Sequence, residues 1–216
     1  MNTTSDDAKT RSELLQAALD HVPFDGWSKL SMDRANDDLK LPPGTVHRLF
    51  PRGPRELLTY SSQCADQQML EGLSATDLGS LKIRERIALA VKLRLQADVP
   101  HREAVARAAT WLALPGHHVT AGRLLYATVD NMWHGIGDTS VDFNFYSKRA
   151  LLAGVVSSTV LFWLQDESDD FSATWAFLDR RIEDVMKIQK TKAQLGNLVE
   201  KLPFIGRLMN AASMSH

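Results

Sequence analysis

The chain has 216 residues, a formal net charge of −1 at pH 7, and 44% hydrophobic, 24% charged and 7% aromatic residues. That length suits one domain, or one domain with a small subdomain, and buries about 70% of the unfolded surface without a disulfide or metal staple. The single cysteine, Cys64, excludes an internal disulfide framework and a cysteine-cluster zinc site, and the near-neutral charge argues against a dominantly nucleic-acid-binding chain. The residues are unevenly spread: five of the eight prolines fall in the first third, and none lies between Pro115 and Pro203. Four of the five tryptophans (Trp111, Trp133, Trp163, Trp175) lie between 111 and 175.

In chain order, the start MNTTSDDAKTR is polar and carries Asp6 and Asp7, unlike a secretory signal or an acid-poor transit peptide. A start in a bacterial cytoplasm is expected. Leu14, Leu15, Ala18 and Leu19 predict a first amphipathic helix over 8–21. Ser31 is expected to cap a short helix to Leu39, and Thr45 a second one over 45–50, with Pro42, Pro43 and Gly44 in the turn between them. Further helices are predicted at 55–72, 81–98, 100–114, 118–134, 143–165 and 170–195, the last capped by Ser168 or Asp169. The longest apolar run, 151–164, is short of the roughly 20 residues of a membrane span. Alternating strand patterns are nearly absent, so the expected class is all-α, with nine or ten helices.

Residues 31–50, SMDRANDDLKLPPGTVHRLF, resemble the three-helix head of TetR-type regulators, whose second short helix enters the DNA major groove. Here the head departs from a DNA reader. Lys40 stands at the turn position where that family usually has glycine, and Asp33, Asp37 and Asp38 crowd the first short helix. Residues 1–60 hold eight Lys/Arg against nine Asp/Glu, so no net positive charge is available for phosphates, although Arg48, Arg52 and Arg55 cluster locally. The expectation is a helix-turn-helix kept as a structural head, with no nucleic acid bound.

Catalytic patterns are missing. No Glu precedes a His by three positions, so the usual di-iron bundle motif is excluded. His101-Arg102-Glu103 lacks the second half of a zinc deaminase signature, and adjacent His117 and His118 point in different directions on a helix. Gly135-Ile136-Gly137 lacks the third glycine of a dinucleotide fingerprint, and there is no phosphate loop or nucleophile elbow. A non-enzyme without cofactor is expected.

The middle of the chain reads as a helical core with room for a ligand. Leu125, Met132 and Trp133, then Leu152, Val156, Val160, Phe162 and Trp163, then Trp175, Leu178 and Ile182 supply large apolar side chains at helical spacing. Small residues on the second of these helices (Ala150, Ala153, Gly154, Ser157, Ser158) would leave a tubular space suited to a lipid, with Trp111 on the preceding region as a further lining residue. Residues 137–186, with G-D-x-S-x-D-x-N-x-Y-S-K-R followed by L-Q-D-x-S-x-D-F-x-x-T-W-x-F-L-x-x-R-I, resemble the signature region of the "coenzyme-Q-nine" family of ubiquinone biosynthesis accessory proteins.

That resemblance implies a lipid-binding protein with a TetR-like fold. As a member it would bind isoprenoid quinone intermediates or phospholipid and present them to the di-iron demethoxyubiquinone hydroxylase. It would act as a homodimer at a membrane surface, here the bacterial inner membrane. The family's partner-facing patch maps to Asp142, Asn144, Phe145, Tyr146, Lys148 and Arg149, with Phe145 where tryptophan is usual. The tail carries an apolar stripe at Leu195, Leu198, Val199, Leu202, Ile205 and Met209, flanked by Phe204, Leu208 and basic residues, a pattern that suits a membrane interface. The expected organisation is a head over 1–52, a lipid-binding domain over 53–192 and a membrane-associating amphipathic tail over 193–216. Two rival readings remain: a TetR-type regulator with an apolar inducer, and a helical adaptor with no ligand.

Overall fold

The computed structural model describes residues 3–138 and 143–200, with side chains for 6–138 and 146–187. Among these residues it contains nine α-helices and no strand: α1 (Thr3–Asp25), α2 (Lys29–Asp38), α3 (Thr45–Leu49), α4 (Pro54–Ser74), α5 (Ile83–Asp98), α6 (Arg102–Ala113), α7 (His118–Gly135), α8 (Phe143–Trp163) and α9 (Ser172–Glu200). Pro23 lies inside α1, which runs past the expected end at 21, but the later breakers fall where the sequence puts them. Pro54 opens α4 at a position that needs no amide donor, and Pro100 lies in a tight turn between α5 and α6.

Two expected caps move. Ser28, not Ser31, caps α2: its Oγ accepts from the Ser31 amide at 3.2 Å, and the Ser31 hydroxyl accepts from the Ser28 amide at 3.4 Å. Ser31 is therefore the third helical residue of a capping box, which serine fills because its hydroxyl also donates to the Ser28 carbonyl. Gly44, with φ +87°, precedes α3, while the Thr45 hydroxyl donates back to the Pro42 carbonyl. The Lys40 turn keeps the geometry that glycine would favour. Lys40 has φ +53°, its amide donates to the Asp37 carbonyl, and the Leu41 amide donates to the Asn36 carbonyl. This is a Schellman ending with a lysine in the left-handed position.

Two apolar clusters fill the molecule. In the head, Leu14, Leu15, Met32, Leu49, Phe50 and Leu57 are buried together, and this cluster runs on into Ala104 and Ala108 of α6. The head is thus fastened to the bundle by a shared core, and the Trp27 indole donates to the Ala104 carbonyl at 3.0 Å. In the bundle, Met69, Leu73, Val91, Met132, Leu152, Val156, Trp163 and Leu178 form the second cluster. Gly135 lets α7 approach α4: a Cβ there would lie 2.8 Å from the Leu70 and Leu73 methyls.

The turn from α8 to α9 is held by polar atoms. Asp166 accepts from the amides of Ser168 and Thr174, each at 2.8 Å, and the hydroxyls of Ser168 and Thr174, helped by these amides, hold its carboxyl below the usual carboxylate range. The Ser168 hydroxyl accepts from the Ala173 amide, as expected of a cap. Arg102 donates to the carbonyls of Trp163 and Asp166, both at 2.7 Å, and ties the start of α6 to this turn.

Candidate functional site

A cavity of about 220 Å³ lies where head and bundle meet. Leu19 and Trp27 come from the head, Leu58 from α4, Val91 and Leu95 from α5, Leu125 and Met132 from α7, and Val156 and Val160 from α8. The space exists because α6 presents Ala104, Ala108 and Ala109, which are too short to fill it. One wall is polar. Arg94 and Asp98 line it, and the Arg94 guanidinium donates to Asp98 and, at 2.7 Å, to Asp66. Asp66 also accepts from the Thr128 hydroxyl at 2.9 Å and the Asn131 amide at 3.2 Å. Burial pushes the Asp98 carboxyl above its ordinary value, and Arg94 opposes that shift. The network satisfies itself, so the cavity offers a ligand chiefly apolar contact.

A second cavity, of about 280 Å³, lies between α5, α7, α8 and α9. Ile83, Ile87, Trp133, Leu152, Val155, Ile182 and Met186 line it. It sits one helical turn from the first: Ile87 precedes Val91, Leu152 precedes Val156, and Trp133 adjoins Met132. Ligand sites for drug-sized molecules run to roughly 300–1,000 Å³. Each cavity therefore accommodates one ring or a short length of chain.

The structure divides the sequence-predicted lipid residues. Leu125, Met132, Val156 and Val160 line the first cavity, and Trp133, Leu152 and Ile182 the second. Leu178 and Trp163 are packed in the bundle core, with Trp163 fully buried. Trp111 packs against the head cluster instead and stacks on His117 at 3.6 Å between centroids. Trp175 donates to the Asp170 carbonyl and lies under the Lys92 ammonium. Phe162 is 36% exposed and stacks on Phe177 at 4.5 Å.

The small residues of α8 do not create the space. Ala150 and Gly154 face outward, and the Ser158 and Thr159 hydroxyls are bonded to carbonyls of their own helix. Sequence reasoning missed Trp27 and the α6 alanines. The i, i+4 pair Ala104 and Ala108 was the available signal of a shallow helix face.

Of the residues mapped to a partner face, Asp142 lies outside the described residues, as do the side chains of Asn144 and Phe145. Tyr146 is 70% exposed. Lys148 pairs with Asp138 at 3.0 Å, and Arg149 is 3% exposed and pairs with Asp130 at 2.7 Å. The side chains of Leu195, Leu198 and Val199 are likewise outside the described set, as are Leu202, Phe204, Ile205, Leu208 and Met209 altogether. Among the described residues no helix is long and apolar enough to cross a membrane. Burial raises the Cys64 thiol above its ordinary pKa, which makes it a poor nucleophile. Among the described residues no group of three or more His, Cys, Asp or Glu side chains is placed to hold a metal.

The family model described as COQ9 matches residues 119–189. The rat protein "Ubiquinone biosynthesis protein COQ9, mitochondrial" is 35% identical over 92% of this chain and 65% of its own length. The human protein of the same name is 34% identical over 92% of this chain and 64% of its own. The Xenopus laevis COQ9-B protein is 35% identical over 94% of this chain and 70% of its own length. The chain therefore spans about 65% of the length of the rat and human relatives. In fold it is similar to a TetR transcriptional regulator from Nitrosomonas europaea, with a TM-score of 0.66 and 19% identity over 81% of this chain and 97% of that one. These relatives overturn the expected bacterial cytoplasmic location, since they are named mitochondrial proteins. That expectation rested on the polar first residues, and the charge of a short segment does not report a compartment.

Proposed function

The chain belongs to the COQ9 family, and from that premise we propose that it is a non-catalytic, lipid-binding accessory protein of ubiquinone biosynthesis. In this reading it takes isoprenoid quinone intermediates from a mitochondrial membrane and presents them to the demethoxyubiquinone hydroxylase. The observation that carries it is the pair of apolar cavities one turn apart, about 220 and 280 Å³, on a fold whose enzyme motifs are missing from the sequence. A polyprenyl chain has almost no aqueous solubility, because each buried CH₂ is worth about 0.8 kcal/mol. A carrier for it needs apolar space that is shaped but not flooded, and two cavities in series on α5, α7 and α8 offer that to successive isoprene units. The exposed apolar residues Leu161 and Phe162 on α8 support a second copy of the chain as a partner. The 193–216 tail supplies the membrane contact in this reading.

The regulator alternative draws on the TetR-like fold alone. Against it, Arg48 of the helix that would enter DNA is paired with Asp7 of α1 at 2.6 Å, and exposed Asp33 and Asp37 flank the same surface. The test is extraction of lipids from the purified protein, with mass spectrometry. Isoprenoid quinones are expected from the wild type and a several-fold loss from an Ala108→Phe variant that fills the first cavity. Recovery of no isoprenoid from a quinone-rich host would overturn the reading.

A further inference from the structure

Ser62 on α4 and Leu124 on α7 stand between the apolar cavity beneath the head and a separate cleft of about 500 Å³ on the outside of the same helices. The cleft is basic. Arg11, Arg52, Arg55 and Arg123 line it, with Glu56 and Asp66 as its carboxylates. Asp66 is committed to Arg94, Thr128 and Asn131. Glu56 faces Arg11 at 3.5 Å and accepts the Arg52 amide at 3.0 Å. The exposed guanidinium groups of Arg52, Arg55 and Arg123 therefore have no carboxylate partner among the described residues, on a chain whose total charge is −1. Arg11 is held in place by the rings of Phe50 and Tyr60, at 4.6 and 4.8 Å. Apolar contact is on offer beside these cations. Val119 and Tyr126 are 54% and 49% exposed, and their spacing puts them on the same side of α7 as Arg123.

We propose that this cleft, with the side of α7 that carries Val119 and Tyr126, is a docking surface for an acidic, amphipathic segment of a second protein, apart from the 142–149 face. Exposed tyrosine and arginine side by side are the residue types that anchor protein interfaces. Unpaired arginines select a partner rich in carboxylates and speed its encounter. Position separates this surface from the membrane and the hydroxylase of the reading above, and its orientation rests on that reading. Arg149 pairs with Asp130 and Lys148 with Asp138, towards and beyond the far end of α7. Met186, which the tail follows, lines the second cavity together with Trp133. Trp133 lies about 15 Å along the helix from Arg123. Other polyanions fit less well. A bilayer surface is flat, whereas these cations line a recess that a projecting side chain enters and a plane of head groups does not. Nucleic acid needs a run of phosphate contacts, and Arg48, the next basic residue of the head, is already paired with Asp7.

The test uses the full chain and a fluorescein-labelled amphipathic peptide of glutamate and leucine at helical spacing, with binding read by anisotropy. The glutamate peptide is expected to bind about tenfold or more tightly than the same peptide with glutamine, and added salt is expected to shrink that gap. Arg55→Glu with Arg123→Glu is expected to abolish the gap and to gain binding of a lysine and leucine peptide. That gain, with an unchanged circular dichroism spectrum, separates charge from misfolding. Tyr126→Ala is expected to weaken the glutamate peptide several-fold. Isoprenoid recovery from the doubly reversed variant is expected to match the wild type. Equal binding of the glutamate and glutamine peptides overturns the docking surface and leaves the lipid reading standing. Arginine-dependent binding of phosphatidylglycerol vesicles or of single-stranded RNA, with no response to the peptide, overturns it too. So does a fall in isoprenoid recovery in the reversed variant, which would assign the cleft to the lipid site. Peptide binding as expected, with no isoprenoid recovered from the wild type, overturns the lipid reading alone.

Discussion

The head and the bundle solve the problem of burying polar groups in opposite ways. The head keeps its arginine pairs open to water: Arg34, paired with Asp25, is 50% exposed and Arg48, paired with Asp7, is 57% exposed, and His21 hydrogen-bonds Asp38 nearby. Such pairs contribute about 0–1 kcal/mol each, and the head depends on its apolar cluster and turn geometry. The bundle buries a charged network instead. Arg94 is 13% exposed at its side chain and Asp66 5%, with Thr128 and Asn131 completing the donors to Asp66. The difference teaches where each half tolerates change. A head of this kind can lose a DNA-reading surface without loss of fold, because its surface charges hold little. A bundle of this kind fixes the orientation of α4, α5 and α7 with groups that cannot be removed singly.

Three substitutions break or sharpen that contrast. The largest effect is expected at Asp66→Ala, which strands the Arg94 guanidinium in the interior with Asp98 as its remaining partner. Loss of one member of a buried charge network typically costs about 3–5 kcal/mol. Urea unfolding followed by far-ultraviolet circular dichroism measures it. A change below about 1 kcal/mol would mean that the network holds no more than the surface pairs do, and the contrast would collapse. Next comes Gly135→Ala, where the added methyl meets Leu70 and Leu73 at 2.8 Å. Overpacking of this kind costs about 1–3 kcal/mol. The same unfolding curve reads it, and a neutral outcome would show that α7 can shift away from α4.

The smallest effect lies in the head and has the opposite sign. Lys40→Gly relieves a left-handed residue, worth about 1–2 kcal/mol, against the extra chain entropy that glycine loses on folding, about 0.5–1 kcal/mol. A net gain of about 0.5–1 kcal/mol is expected in thermal unfolding. A loss would show that the lysine side chain holds the head in some way its backbone strain conceals.

Much of the fold was legible in the residues. Prolines at 42, 43, 51, 54 and 100 and the 3.6-residue spacing of Leu14, Leu15, Ala18 and Leu19 marked the helices to within a few positions. The caps of α2 and α3 were less legible, because Ser28 and Ser31 both suit the first start, and at the second the chain's path placed Gly44 rather than Thr45 at the cap. The site was half legible. Apolar residues at helical spacing do mark a core, but Trp111, Trp163 and Phe162 have the same spacing as Val156 and Val160 and fill the core or face water instead. Room for a ligand comes from what is missing from a facing helix, and the alanines of α6 lie nearly fifty residues from the Val156 they face. Arg149 shows the same limit from the other side: an arginine near a helix start reads as exposed, and Asp130 turns it inward.

By itself the sequence determined the all-α class, the helix-turn-helix order of the head and the family, because periodicity, breakers and the signature over 137–186 are local and need no partner. Tertiary structure alone decided that Lys40 takes the left-handed turn, that Asp66 joins Arg94 across 28 residues, and that Ser62 and Leu124 stand between a basic cleft and an apolar cavity. Those outcomes depend on the relative placement of distant helices, and the free energy that places them is spread over the whole of two packed cores rather than over any one stretch of chain.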